Sequence, residues 1–135
     1  MPHVTLQYTA NLEAEANIGD LCRSLAATLV AQKDAQGKQV FPIGGTRVLA
    51  YPAVHHAVAD DADDYAFLYV NVRIAAGRSE EMKKKAGDDL LAVLKAHFEA
   101  VFARRHVGIT LQIDESPGQV YDGKHSNLHP LFNKN

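Results

Sequence analysis

The chain has 135 residues, 47% of them hydrophobic, and a formal net charge of −2 at pH 7. That length suits one domain, and that apolar content is enough for a packed core, which excludes an extensively disordered chain. The slight acidic excess argues against sequence-independent nucleic-acid binding, which depends on many Lys and Arg contacts to phosphates. The only cysteine, Cys22, excludes a disulfide framework, and its apolar neighbours predict a buried, unreactive thiol.

The first residues lack the basic and apolar segments of a signal peptide. No apolar run in the sequence is long enough to cross a membrane. We therefore expect a cytoplasmic protein that makes no membrane contact.

The first half of the chain predicts a strand, a helix and a second strand. Polar and apolar side chains alternate over His3–Tyr8, which is the period of a strand. Apolar residues recur every three or four positions within Glu13–Gln32, which predicts a helix. Thr46–Tyr51 is the next short strand, and Pro52 is expected to end or bend it because proline cannot donate to a ladder.

The second half repeats this order. Tyr65–Ile74 is rich in aromatic and β-branched residues, which predicts a central strand. Ser79 is a suitable N-cap for a helix that is expected to end near Arg104-Arg105, where cations favour a helix C-terminus. Gly108–Ile113 alternates again and predicts the fourth strand.

Two βαβ units in tandem predict an α+β fold, a two-layer sandwich in which a four-stranded mixed sheet carries both helices on one face. We expect one domain over residues 1–135, built from pseudo-repeats at about 2–58 and 64–115 and a C-terminal tail, 116–135. The second face of the sheet would be exposed, and we expect other subunits to cover its apolar residues.

Three residues stand out by position. Pro2 follows Met1, and removal of the methionine leaves a secondary amine whose pKa would fall through burial or nearby arginines, as suits a general base near pH 7. Arg47 begins an apolar strand, and Arg78 lies at a strand-to-helix turn where a guanidinium and backbone N–H groups can hold a carboxylate together. Taken singly, an incidental proline and solvated surface arginines remain open alternatives.

The seven histidines do not predict a metal site. His55-His56 precedes an acidic loop, and His125 and His129 lie four residues apart in a tail without a helical pattern. No carboxylate or thiolate accompanies these pairs at a ligand spacing, so we expect no bound metal.

Six short segments carry a family resemblance, and they follow one another over nearly the whole chain: Met1-Pro2-His3, Phe41-Pro42 with Gly45 and Arg47, Asp64-Tyr65-Ala66-Phe67, Ala76-Gly77-Arg78-Ser79, Lys95-Ala96-His97-Phe98 and Asn127-Leu128-His129-Pro130-Leu131-Phe132. With these segments the chain resembles the tautomerase superfamily, whose members use an N-terminal proline as a base. Within that superfamily it is most similar to the 5-carboxymethyl-2-hydroxymuconate isomerases.

The resemblance implies a cofactor-free isomerase of aromatic catabolism that ketonises a dienol dicarboxylate or tricarboxylate, such as 5-carboxymethyl-2-hydroxymuconate. It implies that Pro2 is the base and that Arg47 and Arg78 bind the substrate's carboxylates. The first repeat holds Pro2 and Arg47 and the second holds Arg78, so the two repeats together would complete one site. The resemblance also implies a homotrimer.

Some alternatives stay open. Relatives can carry a second arginine where this chain has Leu49, and that difference bears on substrate identity. The same scaffold supports phenylpyruvate-type tautomerases, dehalogenases and decarboxylases, in which Tyr51 or Tyr69 could act near the proline. A non-catalytic binding protein on the same trimeric scaffold is the alternative from another class.

Overall fold

The fold contains four strands and two long helices. The computed structural model describes residues 1–132, so residues 133–135 of the predicted tail lie outside the described residues. The elements are β1 (His3–Thr9), α1 (Ile18–Val30), β2 (Arg47–Ala53), β3 (Ala66–Ala75), α2 (Glu80–His97), α3 (Glu99–Phe102) and β4 (Val107–Ser116). Short 3-10 turns lie at Ala10–Leu12, Ile43–Gly45 and His129–Leu131.

The strands form one mixed sheet in the order β2-β1-β3-β4. β1 pairs in parallel with β2, and β3 pairs in parallel with β4, as expected for two strand-helix-strand crossovers. The two crossovers meet along β1 and β3, which pair antiparallel at the centre. The predicted four-stranded mixed sheet is therefore confirmed.

Both long helices pack on one face of this sheet, which confirms the two-layer arrangement. Every second residue of the central strands is buried there, and so is one stripe of each helix, as the two periodicities require. The main contributors are Val4, Leu6 and Tyr8 of β1, Leu68, Val70 and Val72 of β3, Leu21, Leu25 and Leu29 of α1, and Ala86, Leu90 and Leu94 of α2.

The opposite, open face carries many polar side chains besides the apolar residues that were expected to need cover. The hydroxyl of Tyr69 donates a hydrogen bond to Oε1 of Gln112 over 2.8 Å. Nδ2 of Asn71 donates to Oδ2 of Asp114 over 2.7 Å. The large exposed apolar side chains of this face are Leu49 and Tyr51, on the edge strand β2.

Three predicted boundaries were wrong for local reasons. Helix α1 starts at Ile18 because Asn17 takes a left-handed conformation (φ 45°) and caps the amide of Asp20. Helix α2 ends at His97 because Phe98 leaves helical geometry. Strand β2 continues through Pro52, which is tolerated because β2 is an edge strand with a neighbour on one side only.

Two more features of the described range bear on the sequence predictions. Arg105 does not serve the end of α2; it forms ion pairs with Glu15 and Asp64 at 2.7 and 2.9 Å. It thereby links the segment after β1 to the segment before β3. No helix within residues 1–132 combines the length and the apolar character that a membrane crossing requires.

Candidate active site

The sheet topology brings the predicted residues to one end of the molecule. β1 and β2 run in parallel, and His3 and Arg47 are partners in the strand register. The chain start before His3 therefore lies beside the start of β2. β3 runs the other way, so its C-terminal end and the turn that carries Arg78 reach the same end of the sheet. Strand direction therefore places residues that are far apart in sequence at the same end of the sheet.

The amino terminus is packed against the protein. Pro2 is buried, and its carbonyl oxygen accepts a hydrogen bond of 3.2 Å from the backbone N–H of Arg47. A Cβ on Gly45 would lie 2.8 Å from the Met1 nitrogen and 3.3 Å from the Met1 oxygen, so a glycine is needed for this close approach. The chain start is thus held in place by backbone contacts.

The electrostatic environment of the terminus favours a neutral amine. Burial lowers the pKa of the Met1 amine from its ordinary value of 8.0, and the positive charges of Arg47, Lys124 and Arg78 lower that pKa further, against a weaker opposing effect of Asp122. Cations disfavour the protonated form of a nearby amine by direct repulsion. The same surroundings therefore favour the form of the amine that can accept a proton.

Arg47 is held by His3, a contact that the sequence did not predict. The Nε–H of Arg47 donates to Nδ1 of His3 over 2.9 Å. Burial lowers the pKa of His3, and the charges of Arg47 and the terminal amine lower it further, so the imidazole stays neutral and can accept this bond. We infer that His3 is a positioning residue for the guanidinium of Arg47.

We expect His3→Leu to lower kcat/KM on the dienol that the family resemblance implies by about tenfold, because Arg47 loses an acceptor for a charge-assisted hydrogen bond. His3→Gln should restore most of that loss, since its amide oxygen can accept from Arg47. Steady-state kinetics of the two variants, with the exposed His55→Leu as control, test this role. Wild-type kinetics in His3→Leu would contradict it.

Arg78 lies between the two halves of the chain. Nε and Nη2 donate to the carbonyl oxygen of Val40, at 3.4 and 3.1 Å, and Nη1 donates to that of Ala75 at 3.0 Å. Its guanidinium also stacks over the ring of Phe41, 4.6 Å from the centroid. These contacts use three of the five N–H donors of a guanidinium, so donors remain for a ligand.

Neither arginine is neutralised by a neighbouring side chain in the part of the chain that the structure describes. Arg104 and Arg105 both form ion pairs with carboxylates of this chain. Arg47 and Arg78 form none with the described residues and are instead fixed by a histidine and by backbone carbonyls. Two positioned, uncompensated guanidinium groups are suited to binding an anion with carboxylates.

A cleft of about 390 Å³ opens beside Arg47. One wall is the segment before β2, including Gly44 and Thr46, and the other is the C-terminal tail. The tail contributes Asp122, Gly123, Lys124, His125, Ser126, Leu128 and His129. This wall was not predicted as part of a site.

Comparison with known proteins decides the family. The sequence model of the 5-carboxymethyl-2-hydroxymuconate isomerase family matches residues 2–132. The chain belongs to this family. It is 30% identical over 132 residues to the 5-carboxymethyl-2-hydroxymuconate Delta-isomerase of Escherichia coli, covering 98% of this chain and 99% of that protein.

Solved structures agree with the family assignment. A crystal structure of a 5-carboxymethyl-2-hydroxymuconate delta-isomerase is 42% identical, with a TM-score of 0.93, covering all of this chain and 95% of the other. The corresponding isomerase from Deinococcus radiodurans R1 is 40% identical, with a TM-score of 0.86 over 98% and 95% of the two chains. More distant structures, among them a fused 4-OT, share the fold, so the predicted tautomerase architecture is confirmed.

The remaining candidates lie away from this end of the isomerase. Tyr51 follows Arg47 by four residues on β2, which places it about 13 Å further along the strand. Gln7 is the register partner of both Tyr51 and Tyr69, so Tyr69 lies equally far along the sheet, on its open face. Cys22 is half-buried, and burial raises the pKa of its thiol, which suits the predicted unreactive role. Leu49 is exposed on the open face.

Proposed function

We propose that this chain ketonises a dienol that carries two or three carboxylates, such as 5-carboxymethyl-2-hydroxymuconate, with the amine of Pro2 as the base. Membership of the isomerase family supports the reaction class. The observation that carries the proposal is the packed chain start: Pro2 is buried, its carbonyl oxygen accepts from the N–H of Arg47, and burial and three cations lower the pKa of the adjacent Met1 amine. When Met1 is removed, the nitrogen of Pro2 becomes the terminal amine, and Pro2 is itself buried.

In the proposed reaction the neutral Pro2 nitrogen accepts the proton of the substrate's 2-hydroxyl group. The O–H electrons form the C2 carbonyl, the C2=C3 electron pair moves to form the C3=C4 double bond, and the C4=C5 pair moves onto the distal carbon, C5, which becomes nucleophilic. The protonated amine then delivers its proton to that carbon and returns to the neutral form. Atoms and charge balance without an oxidant, a reductant or a cofactor.

The two arginines would serve binding and charge stabilisation. Arg47 and Arg78 each keep guanidinium donors available, each acts on the terminal amine through its charge, and each is fixed before a ligand arrives. A preorganised cation near the C2 oxygen stabilises the negative charge that develops there during proton transfer. The other cation would hold a substrate carboxylate and so set the position of the conjugated chain.

We also propose that one domain of two βαβ copies assembles as a homotrimer in the cytoplasm. Leu49 and Tyr51 are exposed on the open face, and Val120 and Tyr121 of the tail are also exposed in the single chain. Such apolar side chains favour burial between subunits. One structural relative, a fused 4-OT, is described as a symmetric trimer.

A spectrophotometric assay without added metal or cofactor tests the proposed function. The purified, processed chain should consume 5-carboxymethyl-2-hydroxymuconate and 2-hydroxymuconate at enzymatic rates, with little activity on the enol of phenylpyruvate. Faster turnover of the enol of phenylpyruvate would instead indicate a phenylpyruvate-type tautomerase. No turnover of any of the three compounds would contradict the enzyme assignment.

A further inference from the structure

The C-terminal tail closes one side of the cleft beside Arg47, and close packing holds it there. A Cβ on Gly44 would lie 3.2 Å from Cα of His129 and 3.4 Å from Cδ2 of Phe132, so the two segments cross at near-contact distance. The tail residues before this crossing then line the cleft opposite Arg47. Lys124 is the cation that the tail contributes to this wall.

The positive charge of Lys124 acts on the terminal amine. Among the charges that lower the pKa of the terminal amine, its effect follows that of Arg47 and precedes that of Arg78. Lys124 pairs with Asp122 at 2.6 Å, but the two side chains are 59% and 54% exposed, so water screens this pair strongly. The carboxylate also acts more weakly on the amine than Lys124 does. Of these two charges of the wall, Lys124 therefore has the larger effect on the amine.

A third cation has a chemical use at this place. In the proposed reaction the amine must come within hydrogen-bond reach of the distal carbon that receives the proton. In a 5-carboxymethyl dienol, that carbon bears the additional carboxymethyl group. The third carboxylate must then lie close to the amine, beside the C6 carboxylate that the same carbon carries, whereas 2-hydroxymuconate, a simple dicarboxylate, has only the C6 carboxylate there.

We propose that Lys124 binds the third carboxylate of the substrate and that it makes the site prefer tricarboxylate over dicarboxylate dienols. This inference rests on the proposed function, and it adds a specificity-determining residue from the tail. The lysine is suited to this contact because its flexible ammonium can leave an exposed pair and follow a substituent on the substrate.

The test compares Lys124→Met with Lys84→Met, a matched control. Lys84 is also exposed and also pairs with an aspartate, Asp88 at 2.7 Å, but it lies on α2. For Lys124→Met we expect the ratio of kcat/KM on 5-carboxymethyl-2-hydroxymuconate to that on 2-hydroxymuconate to fall by about 10- to 100-fold. Lys84→Met should keep the wild-type ratio, and Lys124→Arg should recover part of it. A ratio within about twofold of wild type in Lys124→Met would overturn the proposal.

Ligand binding measured by calorimetry tests the role of Lys124 independently of the proposed reaction. If the wild type turns over neither dienol, the proposed function fails, and binding of tricarballylate and glutarate then decides the role of Lys124. We expect Lys124→Met to weaken tricarballylate binding by about tenfold more than glutarate binding. Equal weakening of both ligands, or no wild-type preference for the tricarboxylate, would overturn the proposal.

Discussion

A preparation that retains Met1 is expected to ketonise its dienol about 10²- to 10⁴-fold more slowly than the processed chain that begins at Pro2, because a general base is lost. With Met1 in place the Pro2 nitrogen is an amide, and an amide nitrogen does not accept a proton near neutral pH. The retained form carries one more residue, Met1, which lies beside Gly45, and its free amine is displaced by one residue from the Pro2 nitrogen.

The two forms can be prepared from one sequence, in hosts with and without methionine aminopeptidase activity, and assigned by intact mass. Their kcat values on the same dienol give the comparison. Pro2→Ala is the companion variant: it presents a primary amine, and we expect a smaller loss than with retained Met1. Equal rates for the retained and processed forms would show that the terminal amine is not the base.

The second large effect is expected from the arginines. Arg47→Ala and Arg78→Ala should each lower kcat/KM by about 10²-fold, the size seen when a preorganised donor to a developing oxyanion is removed. Arg78 also ties the carbonyls of Val40 and Ala75 together, so its variant should lose stability as well. Arg47→Ala should lose less stability, because the guanidinium's protein partners are fewer.

Arg104→Ala is the matched control for both variants. Arg104 is 51% exposed and pairs with Glu15, away from the chain start. Steady-state kinetics and thermal unfolding of the three variants separate lost catalysis from lost folding. Of the three variants, we expect only Arg104→Ala to keep a kcat/KM near that of the wild type. Similar kinetic losses in all three variants would contradict a specific role for Arg47 and Arg78.

The sequence predicted those parts of the fold that local periodicity determines. Alternation in His3–Tyr8 and the apolar stripe of α1 each follow from burial on one side of an element, and the tandem order then constrains the sheet. The helix limits were less predictable, because a left-handed Asn17 and a break at Phe98 depend on local geometry rather than on period.

The site was predictable only where a resemblance or an unusual position pointed to a residue. Pro2, Arg47 and Arg78 were identified in this way. The hydrogen bond between Arg47 and His3 depends on the register of β1 and β2, which cannot be predicted from the sequence pattern. Lys124 lies in a tail without periodicity, so nothing in the sequence connects it to the chain start; the crossing at Gly44 makes that connection.

The most direct measurement of the central claim is the titration of the terminal amine itself. In processed protein labelled with ¹⁵N-proline, the Pro2 nitrogen is the amine, whereas every other proline nitrogen is an amide and does not titrate. The account predicts a pKa below that of the same amine in the free peptide Pro-His-Val-Thr-Leu-Gln, because burial and the neighbouring cations disfavour its protonated form.

The direction of the change in the Pro2 pKa can also be predicted for variants, and the pH dependence of activity should follow it. Arg47→Gln should move this pKa upwards, and Lys124→Met should do so as well, since each removes a positive charge beside the amine. The acidic limb of kcat/KM should rise with pH through the same value and move with it in both variants. A Pro2 pKa equal to or above that of the free peptide, unmoved by Arg47→Gln, would contradict the account.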